Sequence, residues 1–263
     1  MKHRIVQSIE GKTVAVHGVF EGGDLLKLDS FKKVSVQDLA YAKLMKKEIK
    51  GKFGEVTLIV LPSGKKILSV GLGEKKAWNQ RLLVKAVRKA TSAMKGAHDS
   101  IAFSVPDFSL PHVMTPRLLE LIAQNAEMAA YDFHAYKEPP KNGWPEMKEV
   151  AYFGLTPGDR VKGARAIETG RIIGEAVNHA RELGNIPGGL MTPQTRSQKA
   201  VQEGKAFGFS VTVLGEAKMK ALKMGAILGV SRGSTEEAQF VVMEWNGSSA
   251  KRKPIVFVGK GIT

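Results

Sequence analysis

The stretch at residues 56–94, VTLIVLPSGKKILSVGLGEKKAWNQRLLVKAVRKATSAM, decides the fold class. It contains two short apolar runs, at 56–61 and 67–70, and then a segment at 78–94 in which apolar residues recur at spacings of three and four. Short apolar runs of this kind predict buried strands, and the three-and-four spacing predicts an amphipathic helix. The stretch therefore predicts two strands followed by a covering helix.

The same alternation extends outward to both sides of this stretch. Further strands are predicted at 13–19, 101–105 and 150–153, and further helices at 36–49 and 116–136. Strands that alternate with helices are typical of a mostly parallel sheet covered by helices. We therefore predict an α/β fold for this half of the chain.

A second α/β domain is predicted to begin near residue 157. Two turn-rich segments, 137–145 and 155–160, precede a long helical pattern that ends at Gly184, and glycine is common just after a helix. The elements predicted beyond that helix are at 194–207, 210–214, 217–223, 239–245 and 255–258. We predict an N-terminal α/β domain at residues 1–157 and the beginning of a second α/β domain at residues 158–263.

The composition is that of a folded protein with an excess of positive charge. The 263 residues include 40 Lys and Arg against 25 Asp and Glu, a formal net charge of +15, and no cysteine. The lack of cysteine excludes disulfides, thiolate metal sites and a cysteine nucleophile. No apolar stretch has the length of a membrane span, and we expect a cytoplasmic protein with no membrane partner.

The positive charge is concentrated between Lys43 and Lys95. This segment contains fourteen Lys and Arg residues against three Glu. A surface of this kind attracts nucleic acid and other polyanions, and the helix predicted at 78–94 carries Lys85, Arg88 and Lys89. Lysines scattered over solvated helix faces are the common alternative, so two interpretations of this segment stay open.

A single lysine framed by glycines, Gly259-Lys260-Gly261, follows the last predicted strand in PIVFVGKGIT (254–263). A nucleotide P-loop would need glycine at Pro254 and Ser or Thr at Gly261, so the P-loop interpretation fails. Open α/β sheets bind ligands at the carboxyl ends of their strands, and glycines let a ligand approach the backbone. The residues by themselves support a functional and a structural lysine about equally.

Three stretches in the second half resemble the leucyl (cytosol) aminopeptidase family of metallo-exopeptidases. They are NHARELGNIPGGLMTP (178–193), LKMGAILGVSRGS (222–234) and PIVFVGKGIT (254–263), and a looser similarity covers GKFGEVTLIVLP (51–62) and ILSVGLGEKKAWN (67–79). The resemblance implies an enzyme that removes N-terminal residues from peptides. It also implies a homo-oligomer, typically a hexamer.

The resemblance implies a metal-binding role for Lys260. In that family the lysine of the GKG motif binds one of two catalytic divalent ions, which are manganese, zinc or magnesium. An amine binds a metal only in its neutral form, which a neighbouring dication favours. In the complete enzyme the two ions would polarise the peptide carbonyl and activate a water molecule.

The family's other metal ligands and its catalytic lysine and arginine correspond to positions beyond Thr263, so no catalytic residue can be assigned in this chain. We therefore expect the complete protein to continue past Thr263. We also expect this chain alone to bind no metal pair and to show no aminopeptidase activity. The alternatives are nucleic-acid binding through the basic N-terminal domain and a regulatory role in assemblies with full-length relatives.

Overall fold

The computed structural model describes residues 1–9, 12–28, 34–249 and 253–261. In it the chain divides into two units, Met1–Arg181 and Glu182–Thr263. The division falls near the end of one long helix, Pro157–Asn185. The assignment of domains to residues 1–157 and 158–263 stays a prediction.

In the described part of the first unit, six strands form the central sheet. They are β1 (Lys2–Ile5), β2 (Val14–Phe20), β3 (Val56–Val60), β4 (Lys66–Gly73), β5 (Ser100–Ser104) and β6 (Glu149–Phe153), in the spatial order β1-β6-β5-β2-β4-β3. Neighbouring strands are parallel except for β3 and β4. The central strands are almost completely buried, as expected for a parallel sheet. The prediction of a mostly parallel α/β sheet is confirmed.

Among the described residues of this unit, four α-helices accompany the sheet: α1 (Val36–Met45), α2 (Gln80–Met94), α3 (Thr115–Ala130) and α4 (Pro157–Asn185). The residues that α2 buries recur every three or four positions, as the sequence pattern predicts: Leu83, Ala86, Val87, Ala90, Thr91 and Met94. They join residues of α3 and of the central strands in the larger hydrophobic core. A smaller core on residues such as Ala15, Ala42 and Ile59 includes α1.

The strand order reverses direction at β2. The next parallel strand along the chain, β4, lies on one side of β2, and β5 lies on its other side. In open α/β sheets the carboxyl ends of the strands beside such a reversal commonly form the ligand crevice. His17 of β2 and Asp107, three residues after the end of β5, lie in this region.

Glycine permits a close approach between α3 and α4. A Cβ atom at Gly170 would lie 2.3 Å from the carbonyl oxygen of Glu120, and one at Gly174 would lie 2.5 Å from the Cβ of Glu127. Both contacts are too short for any side chain. The backbone of α4 therefore packs directly on α3.

The strand β1 was not predicted from the sequence. Its four residues, KHRI, alternate in burial but are mostly charged or polar. The strand forms against β6, where the N–H of Lys2 donates to Lys148 O and the N–H of Val6 donates to Tyr152 O, both at 2.9 Å. Pairing over more than 140 residues of sequence therefore decides this strand.

The second unit contains the end of α4, α5 (Pro193–Phe207), β7 (Ser210–Leu214), α6 (Glu216–Ala221), α7 (Gly225–Ser231) and β8 (Phe240–Glu244). The strands β7 and β8 pair with each other in an antiparallel two-stranded sheet. In the described parts of the chain, no helix combines the length and the apolarity that crossing a membrane requires.

The prediction of a buried last strand at 255–258 is wrong. Residues 253–261 form neither helix nor strand, and Ile255, Val256, Phe257 and Val258 are between 71% and 93% exposed. A strand needs a hydrogen-bonded neighbour, and in the described part of this unit β7 and β8 pair only with each other. An apolar, β-favouring sequence is therefore insufficient to form the strand.

Candidate metal centre and basic surface

Lys260, the residue that the resemblance marks as a metal ligand, lies in the exposed segment at residues 253–261 of the second unit. Its side chain is exposed, and the described residues include no salt-bridge partner for it. A Cβ atom at the preceding Gly259 would meet nothing within 4 Å. The space beside Lys260 is therefore open on the Gly259 side, whereas a Cβ atom at Gly261 would collide with the guanidinium of Arg196.

A two-metal centre needs several ligands, among them carboxylates. Within the described ranges, no three His, Asp or Glu side chains converge in a way that could hold a metal ion. Lys260 is a single amine. The described residues therefore supply at most one of the ligands that the resemblance implies. They do not by themselves fit a pair of divalent ions.

The basic residues singled out on α2 lie on its outer side. The amide oxygen of Asn79 caps the helix by accepting hydrogen bonds from the N–H groups of Arg81 and Leu82. Because the buried residues of α2 face the core, its opposite side faces solvent. Lys85, Arg88 and Lys89 are all exposed. The structure thus brings these three cations together on one helix face, at spacings of three and one.

Arg88 differs from its two neighbours because its guanidinium is engaged with α3. Its Nε donates to Oδ1 of Asn125 at 2.8 Å, and its Nη2 donates to Sδ of Met128 at 3.6 Å. The amide of Asn125 in turn donates to the carbonyl of Leu121 at 2.8 Å. Arg88 therefore links two helices, whereas Lys85 and Lys89 make no ion pair with any described residue.

The sequence did not predict the buried pair of His17 and Asp107 at the strand reversal. Nδ1 of His17 lies 2.5 Å from Oδ2 of Asp107, and the side chain of His17 is completely buried. The ring of His17 also meets Phe153 edge-on, with centroids 5.5 Å apart. We assign the pair a structural role, because the imidazole has no exposed surface on which a substrate could bind.

A second polar cluster joins β1 to the rest of the first unit. Nε2 of His3 donates to the carboxylate of Glu127 of α3 at 2.9 Å, and Nδ1 of His3 is hydrogen-bonded to the hydroxyl of Tyr152 at 2.7 Å. Burial, with the nearby charge of Glu127, raises the pKa of the Tyr152 hydroxyl well above its ordinary value, so the hydroxyl stays protonated. No local motif could predict this cluster, because its members come from distant parts of the sequence.

Two family models match the chain, and both describe peptidases. The model of the cytosol aminopeptidase family, N-terminal domain, matches residues 16–140. The model of the cytosol aminopeptidase family, catalytic domain, matches residues 178–263, which include Lys260. Both models describe domains of one family, and the chain therefore belongs to the cytosol aminopeptidase family.

Curated relatives agree with the family models. Probable cytosol aminopeptidases of Burkholderia pseudomallei (strain 668) and Burkholderia mallei (strain SAVP1) are both 32% identical over 256 residues. These alignments cover 94% of this chain and 50% of each relative. The chain therefore spans about half the length of the curated relatives it matches.

Solved structures share the fold. A mutant of tomato leucine aminopeptidase matches with a TM-score of 0.74 at 21% identity, over 92% of this chain and 50% of its own. The bottromycin maturation enzyme BotP in complex with Mn matches with a TM-score of 0.69 at 20% identity, over 89% of this chain and 45% of its own. At 20–21% identity, this similarity shows a shared fold and nothing beyond it.

Proposed function

We propose that this chain comprises the N-terminal domain and the first part of the catalytic domain of an aminopeptidase that uses two divalent metal ions. Lys260 is one ligand of that pair. The observation that carries the proposal is the match of the catalytic-domain model to residues 178–263, a range that includes the Gly259-Lys260-Gly261 motif. When bound, the two ions supply Lewis acidity and an activated water.

The role of Lys260 follows from the chemistry of its amine. The neutral amine carries a lone pair that a metal can accept, and the exposure of the side chain leaves it accessible. One amine cannot hold two ions, so carboxylates must complete the site. Because the chain spans about half of its relatives, we expect those carboxylates in the half that this chain does not match.

The same family membership supports the remaining proposals for the complete protein. Its substrates are peptides with a free N-terminus, and the metal is manganese, zinc or magnesium. The protein assembles as a homo-oligomer, with a hexamer as the expected state, and works in the cytoplasm. The names of the relatives as cytosol aminopeptidases support the location.

The test begins with sequencing the gene beyond the codon for Thr263. The 263-residue chain and a chain extended through any open reading frame that follows are then assayed on a leucine anilide with each metal. We expect turnover only from the extended chain, with loss of both activity and metal binding on Lys260→Ala. Lys253→Ala, another exposed lysine of the same segment, is the matched control and should leave both unchanged.

Two results would contradict the proposal. Metal-dependent turnover by the 263-residue chain that disappears on Lys260→Ala would mean that this chain holds a complete site. An active extended chain whose metal content and turnover do not respond to Lys260→Ala would remove the lysine from the ligand set.

Nucleic-acid binding is a second candidate. What supports it is the exposed pair Lys85 and Lys89 on α2, within a segment that carries fourteen basic residues against three acidic ones between Lys43 and Lys95. This binding would need no catalytic residue, because contacts to phosphates supply most of the non-specific affinity. It is compatible with the aminopeptidase proposal and is tested separately.

A further inference from the structure

The first unit has an open sheet edge at β1. This strand is the last in the strand order, and the N–H groups of Lys2 and Val6 point toward β6. Backbone groups alternate in direction along a strand, so the N–H and C=O groups of His3 and Ile5 point away from β6. An edge with donors and acceptors at alternate residues is a template for a further strand.

A cleft of about 400 Å³ lies along this edge. One side of it is formed by the residues of β1 and the other by α4, including Ala164, Ile167 and Glu168. Ala164 is exposed, whereas Ile167 is 5% exposed and belongs to the larger core. The helix therefore supplies a wall with an apolar part beside the open strand edge.

The two faces of β1 differ in charge. His3 and Ile5 face the core side, where His3 binds Glu127 and Ile5 packs against the larger core. Lys2 and Arg4 face the opposite side. Arg4 donates from Nε to Glu149 at 2.7 Å but keeps 49% of its side chain exposed. Lys2 is exposed and pairs with no acid in the described ranges, so this face carries a net positive charge.

We propose that this cleft binds an extended peptide as a seventh strand on β1. Acidic side chains of the peptide lie on the side of Lys2 and Arg4, and its apolar side chains pack toward Ala164 and Ile167. Main-chain hydrogen bonds to His3 and Ile5 supply affinity, and the alternating side chains supply selectivity. The partner is thus a strand in which acidic and apolar residues alternate.

A second copy of this chain is a poorer occupant of the cleft. Antiparallel pairing of two β1 strands about a two-fold axis would place Lys2 and Arg4 of both copies on the same face. Like charges opposite each other in neighbouring strands are destabilising. The charge of the edge therefore favours an acidic strand over self-association.

The test uses a capped, fluorescently labelled peptide that alternates Glu and Val. We expect saturable binding by fluorescence anisotropy and slower hydrogen exchange at the amides of His3 and Ile5. A peptide with the same sequence and N-methylated amides on its bonding edge should not bind, because it lacks the main-chain donors. A peptide that alternates Lys and Val should bind more weakly.

Variants of the protein locate the site. Ala164→Trp fills the cleft from an exposed position and should weaken binding by about ten-fold or more. Val161→Trp is the control, since Val161 is also exposed on α4 but does not line the cleft. Lys2→Glu should weaken binding by about 2- to 5-fold, the range of an exposed ion pair.

Three results would overturn the proposal. The first is an absence of protection at His3 and Ile5 at millimolar peptide. The second is equal binding of the N-methylated peptide or of the Ala164→Trp variant. The third is protection of the same amides without peptide that grows with protein concentration, which would assign the edge to a second copy of the chain.

Discussion

His17 and Asp107 form a hydrogen bond, Nδ1 to Oδ2 at 2.5 Å, across the point at which the strand order reverses. The imidazole is completely buried, whereas the carboxylate keeps 19% of its side chain exposed. A buried ring N–H needs an acceptor, and the carboxylate supplies it from the short helical segment Val105–Phe108 that follows β5. The pair therefore connects β2 with the segment on the other side of the reversal.

Asp107→Ala should lower the free energy of unfolding by about 1–3 kcal/mol, because it leaves a buried imidazole nitrogen without its acceptor. Urea denaturation measures the change. Asp99→Ala is the control, since Asp99 is 58% exposed and pairs with Lys148 at 3.4 Å. The control should lose less than about 1 kcal/mol, and equal losses in the two variants would contradict the role given to Asp107.

Gly170→Ala should destabilise the protein by about 1–3 kcal/mol, because its Cβ would lie 2.3 Å from the carbonyl oxygen of Glu120 and force α3 and α4 apart. Gly184→Ala, on the same helix, has nothing within 4 Å of the added Cβ. That control should be more stable than the parent by up to about 1 kcal/mol, because alanine favours a helix over glycine. Thermal unfolding of both variants checks the prediction, which would fail if they shifted in the same direction.

The carboxylate of Asp38 should make stability depend on pH. The N–H of Ser63 donates to Oδ1 of Asp38 at 3.0 Å, and this bond holds the pKa of Asp38 below its ordinary value of 3.8. The ionised form is favoured in the folded state, so its contribution is fully present above the ordinary pKa and is lost as the pH falls through the folded-state pKa.

We therefore expect the parent to be more stable than Asp38→Asn at neutral pH, with a difference that shrinks on acidification. Urea denaturation of both proteins from about pH 7 to about pH 3 measures that difference. A difference that stayed constant over the whole range would show that the charge of Asp38 does not contribute.

Nucleic-acid binding, if it uses α2, should depend on Lys85 and Lys89. Lys85→Glu with Lys89→Glu should weaken a gel shift with duplex DNA and lower the slope of log affinity against log salt by about 2, one for each lost phosphate contact. Arg88 is left unchanged, because its bonds to Asn125 and Met128 would confound the result.

The control for this experiment is Lys162→Glu with Arg165→Glu on α4. Both residues are exposed, and the change in net charge is the same. This variant should keep the salt slope of the parent if the contacts are on α2. If both variants lost the same amount of DNA affinity, binding would depend on net charge and not on a defined surface. If the parent did not bind DNA at low salt, this function would be excluded.

The local spacing of apolar residues was sufficient to predict those strands and helices whose apolar residues are also buried in the fold. The apolar runs that predict strands at 56–61 and 101–105 correspond to β3 and β5, and the periodic segment at 78–94 corresponds to α2. The strand β1 escaped prediction because three of its four residues are charged or polar and the single isoleucine makes no apolar run. The segment at 255–258 has that run, but among the described residues no strand pairs with it, and it stays exposed.

The amino-acid sequence by itself determined the α/β class and the relation to cytosol aminopeptidases, because periodicity and short motifs are local properties of the chain. It also singled out Lys260, whose metal-binding role stays a proposal. Only the tertiary structure decided that His17 meets Asp107, that Arg88 is engaged with α3, and that an open edge at β1 lies beside α4. Those contacts join residues that are far apart in sequence, so packing and strand order bring them together.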